Sequence, residues 1–105
     1  MTLTTYERGD SFEVKVEWKS GSTYVDSQNG SYLTIYRPDG TKLLNNVSGI
    51  RLSTGIYHYY PSTSSDAQMG IYIVDWYGKF YYDSKFGWLP NYQRECVHIT
   101  NVVQT

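Results

Sequence analysis

TGIYHYYPSTSSDAQMGIYIVDW, Thr54–Trp76, holds the tripeptide Gly-Ile-Tyr twice, fifteen residues apart, with a polar stretch between the copies. Each copy opens a short run rich in Tyr, Ile and Val, Ile56–Tyr60 and Ile71–Trp76, which is strand composition entered through a glycine. Pro61–Met69 is small and polar with a Pro at its start, and reads as a loop or a crossover between sheets. A period of fifteen is too short for a solenoid unit, so the repeat marks two strands rather than a duplicated module.

Working outward, the clearest strand is SFEVKVEW, Ser11–Trp18. Phe12, Val14, Val16 and Trp18 fall on one face and Glu13, Lys15 and Glu17 on the other, the period-2 pattern of a strand with one buried and one wet face. Arg8-Gly9-Asp10 reads as the turn from a first strand near Leu3–Tyr6, which accounts for a tripeptide that also spells an integrin-recognition motif. Lys19–Gly30 is polar and reads as a loop. SYLTIYR, Ser31–Arg37, is the next strand, and Pro38-Asp39-Gly40-Thr41 supplies turn chemistry before a short return strand at Lys42–Val47. Ile50–Ser53 precedes the first copy of the repeat. Beyond Trp76, Tyr77-Gly78-Lys79 is expected to turn into Phe80–Asp83, Lys85–Gln93 to be irregular, and Arg94–Val103 to form the last strand, with Val97 and Ile99 inward. Seven or eight strands without a helix predict an all-β antiparallel sandwich or small barrel. The long loop before Ser31 and the crossover before Gly70 favour the sandwich.

The chain has 105 residues, enough for a single domain over 1–105 with one core, carrying an aromatic-rich insertion at 77–92. A formal charge of −1 gives no electrostatic reason to expect nucleic acid or an anionic membrane. No stretch is long and apolar enough for a membrane-spanning helix, and MTLTTYERGD lacks the apolar run of a signal peptide. Cys96 is the sole cysteine, so no intrachain disulfide staples the fold. Aromatic residues make up 17% of the chain, twelve of them tyrosine, a side chain suited to half-exposed surfaces and interfaces.

Gly70-Ile71-Tyr72-Ile73-Val74, preceded by Asp66, resembles the tyrosine-corner strand of immunoglobulin-like domains. With "TIYRPDGT", "TGIYHYY" and the closing strand, the layout from Gly9 to Thr100 is similar to disulfide-free Ig-like domains of phage and archaeal-virus structural proteins and bacterial surface proteins. The resemblance implies that the Tyr72 hydroxyl bonds back to the preceding corner. It also implies that Val74, with Val14 or Val16, stands where the family carries its two cysteines. It implies a virion or extracellular-surface location.

Little in the chain points to catalysis. Cys96 and His98 share a face at i, i+2, but no orienting third group or oxyanion site accompanies them, and they read as a small apolar residue and a half-exposed imidazole. No CxxC or HxxxH supplies zinc ligands, and the aspartates are dispersed. Asp66 reads as a turn residue rather than a calcium ligand. Phosphate-loop glycine patterns are absent, so no enzyme activity, cofactor or metal is expected.

The informative stretch is YGKFYYDSKFGWLPNY, in which Tyr77, Phe80, Tyr81, Tyr82, Phe86, Trp88 and Tyr92 make seven aromatics in sixteen residues. Consecutive rings at 80–82 occupy both faces of any strand. Two readings stand. The segment folds back as a small core of its own, anchored by Trp88-Leu89-Pro90, or it presents an exposed aromatic cluster. The second predicts a non-catalytic structural or adaptor protein working through protein contacts or self-association, in a virion or phage tail. The alternative is a carbohydrate-binding module, with Trp88, Tyr82, Tyr81 and Tyr92 stacking on sugar and Asp83 or Asn91 holding hydroxyls.

Overall fold

The computed structural model describes residues 3–9, 11–64 and 67–100, with side chains from residue 5 onward. The expectations for Asp10, for Asp66 and for the strand residues beyond 100 lie outside the described residues. The strands are β1 (Leu3–Glu7), β2 (Val14–Glu17), β3 (Lys19–Ser20), β4 (Thr23–Tyr24), β5 (Tyr32–Tyr36), β6 (Lys42–Ser48), β7 (Ile50–Ser53), β8 (Ile56–Tyr59), β9 (Gly70–Asp83) and β10 (Gly87–Thr100). A five-stranded sheet runs β1-β10-β9-β5-β6, a three-stranded sheet β2-β8-β7, and β3 pairs with β4 alone. Every pairing is antiparallel except β1 with β10.

The two larger sheets close over one core. From the smaller come Val14, Val16 and Tyr57, flanked by Phe12 and Trp18; from the larger come Leu33, Ile35, Tyr72, Val74, Trp76, Val97 and Ile99, all buried. The alternation in Ser11–Trp18 is therefore realised as read, although regular pairing covers only Val14–Glu17. The buried Trp18 indole donates to Ser31 Oγ at 2.9 Å, and Ser31 Oγ meets Ser27 Oγ at 2.8 Å, so the polar edge of a core ring is satisfied. Gly49 lets the chain pass from β6 in one sheet to β7 in the other: a Cβ there would lie 2.6 Å from Trp76 Cζ3.

The two Gly-Ile-Tyr copies begin β8 and β9, which lie in different sheets, and the polar stretch between them carries the chain across. Tyr72 is buried and its hydroxyl donates to the Gln68 carbonyl at 2.7 Å, pinning the end of that crossover to the core.

Two expectations need correction. Tyr77-Gly78-Lys79 is not a turn, since β9 continues through it to Asp83. Gly78 is there for close approach: a Cβ would meet Ser27 Cβ at 3.0 Å and the Phe80 ring at 3.0 Å. Lys85–Gln93 is not irregular either, because β10 starts at Gly87. The turn lies at 84–86, where Asp83 Oδ1 accepts the backbone N–H groups of Lys85 (2.9 Å) and Phe86 (2.8 Å), followed by a register shift at Gly87/Trp88. Pro90 sits in β10 opposite Lys79, where β1 has not yet joined the far edge, so its missing N–H breaks no ladder there. The loop expected over Lys19–Gly30 also holds the two-residue strands β3 and β4.

Because β5 pairs with β9 only as far as Tyr77, and β1 with β10 only from Cys96, the β9–β10 hairpin leaves the sheet as a two-stranded arm. Gly78–Asp83 and Gly87–Asn91 form it, about 20 Å of chain at strand rise. The molecule measures 57 × 25 × 21 Å.

Candidate functional site

Parity along β9 sorts the arm's rings. Tyr72, Val74, Trp76 and Gly78 point inward and are buried, and Phe80 continues that row, half-buried, with its ring 4.9 Å from that of Trp18. Phe80 is therefore the arm's anchor to the core. Trp88, Leu89 and Pro90, the buried anchor in the reading that folds the segment back on itself, are all exposed. Of the seven rings singled out in the sequence, Tyr81 (56%), Tyr82 (67%), Phe86 (57%), Trp88 (47%) and Tyr92 (68%) are open to solvent, while Tyr77 and Phe80 are half-buried. A row of even-numbered apolar residues from Tyr72 to Phe80 was the signal that separates Phe80 from its neighbours.

The exposed rings pair edge to face. Tyr81 and Trp88 lie 5.5 Å apart at 71°, and Tyr82 and Phe86 5.8 Å apart at 68°. They build a ridge with rings at right angles rather than a flat platform. Lys85 Nζ sits 5.6 Å over the Phe86 ring. The arm is tied to the segment after β4 by the Gln28 N–H donating to the Lys79 carbonyl at 2.8 Å, and at its base Gln93 Nε2 donates to the carbonyl of Glu17 in β2 at 2.8 Å.

Between the arm and the β3–β4 hairpin runs an open cleft of about 580 Å³. Phe80, Tyr82 and Trp88 line one side, Trp18, Lys19 and Val25 the other, and Asp26, Asn91 and Gln93 add polar groups. Asp26 is held in place by Arg51 (Nη2–Oδ2 3.1 Å), the Gly55 N–H (2.8 Å) and the Tyr57 hydroxyl (3.2 Å). These bonds, that to Arg51 foremost, hold its carboxyl below the usual range.

Elsewhere polar side chains bond to one another within the fold. Asp39 accepts the Thr41 hydroxyl (2.6 Å) and N–H (2.9 Å) and Gln68 Nε2 (2.7 Å), bonds that lower its carboxyl to about 2 and tie the β5–β6 turn to the crossover. His58 is buried with Nδ1 2.8 Å from Glu13 Oε2, a partner forty-five positions away that no local pattern reveals. Glu95 is pushed up by burial, with the Lys15 backbone N–H and the Trp76 indole opposing; the indole N–H and Glu95 Oε1 lie side by side without good hydrogen-bond geometry. Cys96 and His98 share the outer face of β10, opposite Leu3 and Thr5 of β1. Among the described residues no three His, Cys, Asp or Glu side chains gather as metal ligands, and no helix is long and apolar enough to cross a membrane.

No protein-family model and no curated protein matches the chain. Among solved structures it is similar to a DUF4785 family protein from Legionella pneumophila subsp. pneumophila, with a TM-score of 0.66 and 9% sequence identity. The likeness covers 90% of this chain and 26% of that one, so the chain spans about a quarter of its neighbour's length. Identity that low speaks for fold alone. The chain thus has an all-β fold of the kind found within that longer bacterial protein.

Proposed function

We propose that this chain is an Ig-like sandwich serving as a non-catalytic structural or adaptor protein, and that the β9–β10 arm is its contact with a protein neighbour. The observation that carries the reading is the exposure of Tyr81, Tyr82, Phe86 and Trp88 on an arm that has left the core behind. Their edge-to-face ridge suits insertion into a protein groove, and the arm's unpaired strand edges add backbone donors and acceptors for a strand of the neighbour. Large exposed rings of this kind are anchors when an interface closes.

The Ig-like assignment is supported by the order β2-β8-β7 facing β10-β9-β5-β6, which corresponds to strands B-E-D facing G-F-C-C′ of a variable-type domain, and by the Tyr72–Gln68 bond at the expected corner. The virion or phage-tail setting rests on the sequence resemblance alone. The test is solution mass and cross-linking at micromolar concentration for the wild type and for Tyr82→Ala/Trp88→Ala. The reading expects the wild type to assemble, or to cross-link to a partner, and the double variant to lose both. A double variant that keeps the wild-type mass and cross-links overturns it.

A further inference from the structure

Strand register sets three tyrosines abreast on the outer face of the larger sheet. Tyr32 of β5 stands opposite Tyr77 of β9, and Tyr77 opposite Tyr92 of β10. At the usual strand spacing the row spans roughly 10 Å. The next row on the same face is Thr34, Asp75 and Arg94. Between these rows the inward residues Leu33 and Trp76 are buried, so both rows face away from the core. A groove of about 400 Å³ opens over Tyr32, Tyr77, Tyr92, Thr34 and Asp75, with Tyr36 also lining it and Arg94 just outside. Asn46 borders it from β6, where two residues face Thr34 alone and the pairing shifts register. Asn46 takes a left-handed backbone angle (φ 54°) and its N–H donates to Thr34 Oγ at 3.1 Å. Asparagine takes that angle readily, and the bulge it forms holds its side chain at the lip of the groove.

The chemistry of the groove narrows its ligand. The Tyr77 and Tyr92 rings lie 5.1 Å apart at 51°, giving two inclined apolar walls. Beside them Arg94 grips Asp75 with two bonds, Nε–Oδ1 at 2.6 Å and Nη2–Oδ2 at 2.9 Å. The pair cancels in charge but keeps spare guanidinium donors and carboxylate lone pairs, fixed in orientation. The Asn46 amide adds one donor group and one acceptor. An acidic ligand meets Asp75, a basic one finds that carboxylate already neutralised by Arg94, and an apolar peptide leaves Asp75 and Asn46 unmatched. A pyranose has C–H faces for the rings and neighbouring hydroxyls that both donate and accept.

We infer that this groove is a binding site for a neutral oligosaccharide, seated on Tyr77 and Tyr92 and hydrogen-bonded by Asp75 and Asn46, with Arg94 holding the Asp75 carboxylate in place. It is a second surface: Tyr81, Tyr82, Phe86 and Trp88 do not line it, and Tyr92 alone borders both this groove and the cleft beside the arm, so Asn46→Gly is the variant specific to the groove.

The test titrates the ¹⁵N-labelled full chain with six soluble hexasaccharides: those of cellulose, xylan, β-1,3-glucan, starch, mannan and chitin. A sulfated glucan serves as the acidic control. Expected is a saturable shift of the Tyr32, Asp75, Tyr77 and Tyr92 amides with at least one neutral sugar. Tyr92→Ala and Asn46→Gly weaken that binding by about tenfold or more. Both leave the rest of the spectrum intact, because Tyr92 is exposed and glycine suits the left-handed angle. Tyr82→Ala/Trp88→Ala binds sugar as the wild type does, which separates this site from the arm. The inference is overturned by silence across the neutral panel, by shifts confined to the arm, by a response to the sulfated glucan alone, or by wild-type affinity in both groove variants.

Discussion

Phe80→Ala distinguishes an arm anchored by one ring from an arm that folds on itself. Phe80 is half-buried against Trp18, with centroids 4.9 Å apart, and belongs to the margin of the core. Full burial of Phe makes truncation to Ala cost about 3–5 kcal/mol, so half-burial sets the expectation at roughly 2 kcal/mol. With a urea m-value of about 2 kcal/mol/M for a domain of this size, the midpoint should fall by about 1 M at unchanged m. Tyr82→Ala and Trp88→Ala remove larger or equal rings from the same hairpin, yet Tyr82 meets the Phe86 ring and Trp88 the Tyr81 ring at the surface rather than a core residue. With one edge-to-face pair lost in each, their cost should be about 1 kcal/mol, clearly below that of Phe80→Ala. The assay is equilibrium urea denaturation of the three single variants beside the wild type. If Trp88→Ala or Tyr82→Ala costs as much as Phe80→Ala, the rings form an interior of their own and their exposure carries no functional meaning.

Three further outcomes follow from the packing and the charges. Tyr72→Phe deletes the bond to the Gln68 carbonyl and should cost about 1 kcal/mol, seen as a melting point lower by roughly 4–8 °C. Gly49→Ala places a methyl 2.6 Å from Trp76 Cζ3 and should cost about 1–3 kcal/mol in the same melt; a neutral result would mean that the β6–β7 passage does not press on the core ring. Stability should depend on pH through two carboxylates of opposite sign. Asp39, lowered from 3.8 to about 2, stabilises the native state above pH 3.8, and that contribution fades as pH falls toward 2, so Asp39→Asn should flatten the acid limb. Glu95, raised above 4.5 by burial, holds its proton more tightly folded than unfolded, so stability falls as pH rises through the window just above 4.5; Glu95→Gln should remove that fall and melt higher at neutral pH.

Much of the architecture was legible because it rests on local alternation. Val14 and Val16 inward, Lys15 and Glu17 outward, and the two glycine-led strands that part into different sheets all follow from period and turn chemistry. The errors share one cause. Gly78 and Pro90 are breakers by local rule, but their setting is tertiary: Gly78 makes room for Ser27, and Pro90 lies where β10 has no second neighbour. The crowding of rings on both strand faces left exposure and a self-buried cluster both open, and the exposure of Tyr81, Tyr82 and Trp88, like the separate burial of Phe80, is decided by the inward parity carried on from Trp76. The row Tyr32–Tyr77–Tyr92 had no local trace, because strand register aligns positions forty-five and fifteen residues apart.

The three tryptophans offer the most direct test that the core is complete without the arm. Trp18 and Trp76 are 5% and 1% exposed and Trp88 is 47% exposed. Iodide quenching of tryptophan fluorescence in dilute solution should therefore reach a single emitter, and Trp88→Phe should leave emission that iodide scarcely dims. Quenching of Trp88→Phe equal to that of the wild type would place the accessible indole in the sandwich and contradict the division between a filled core and an open arm.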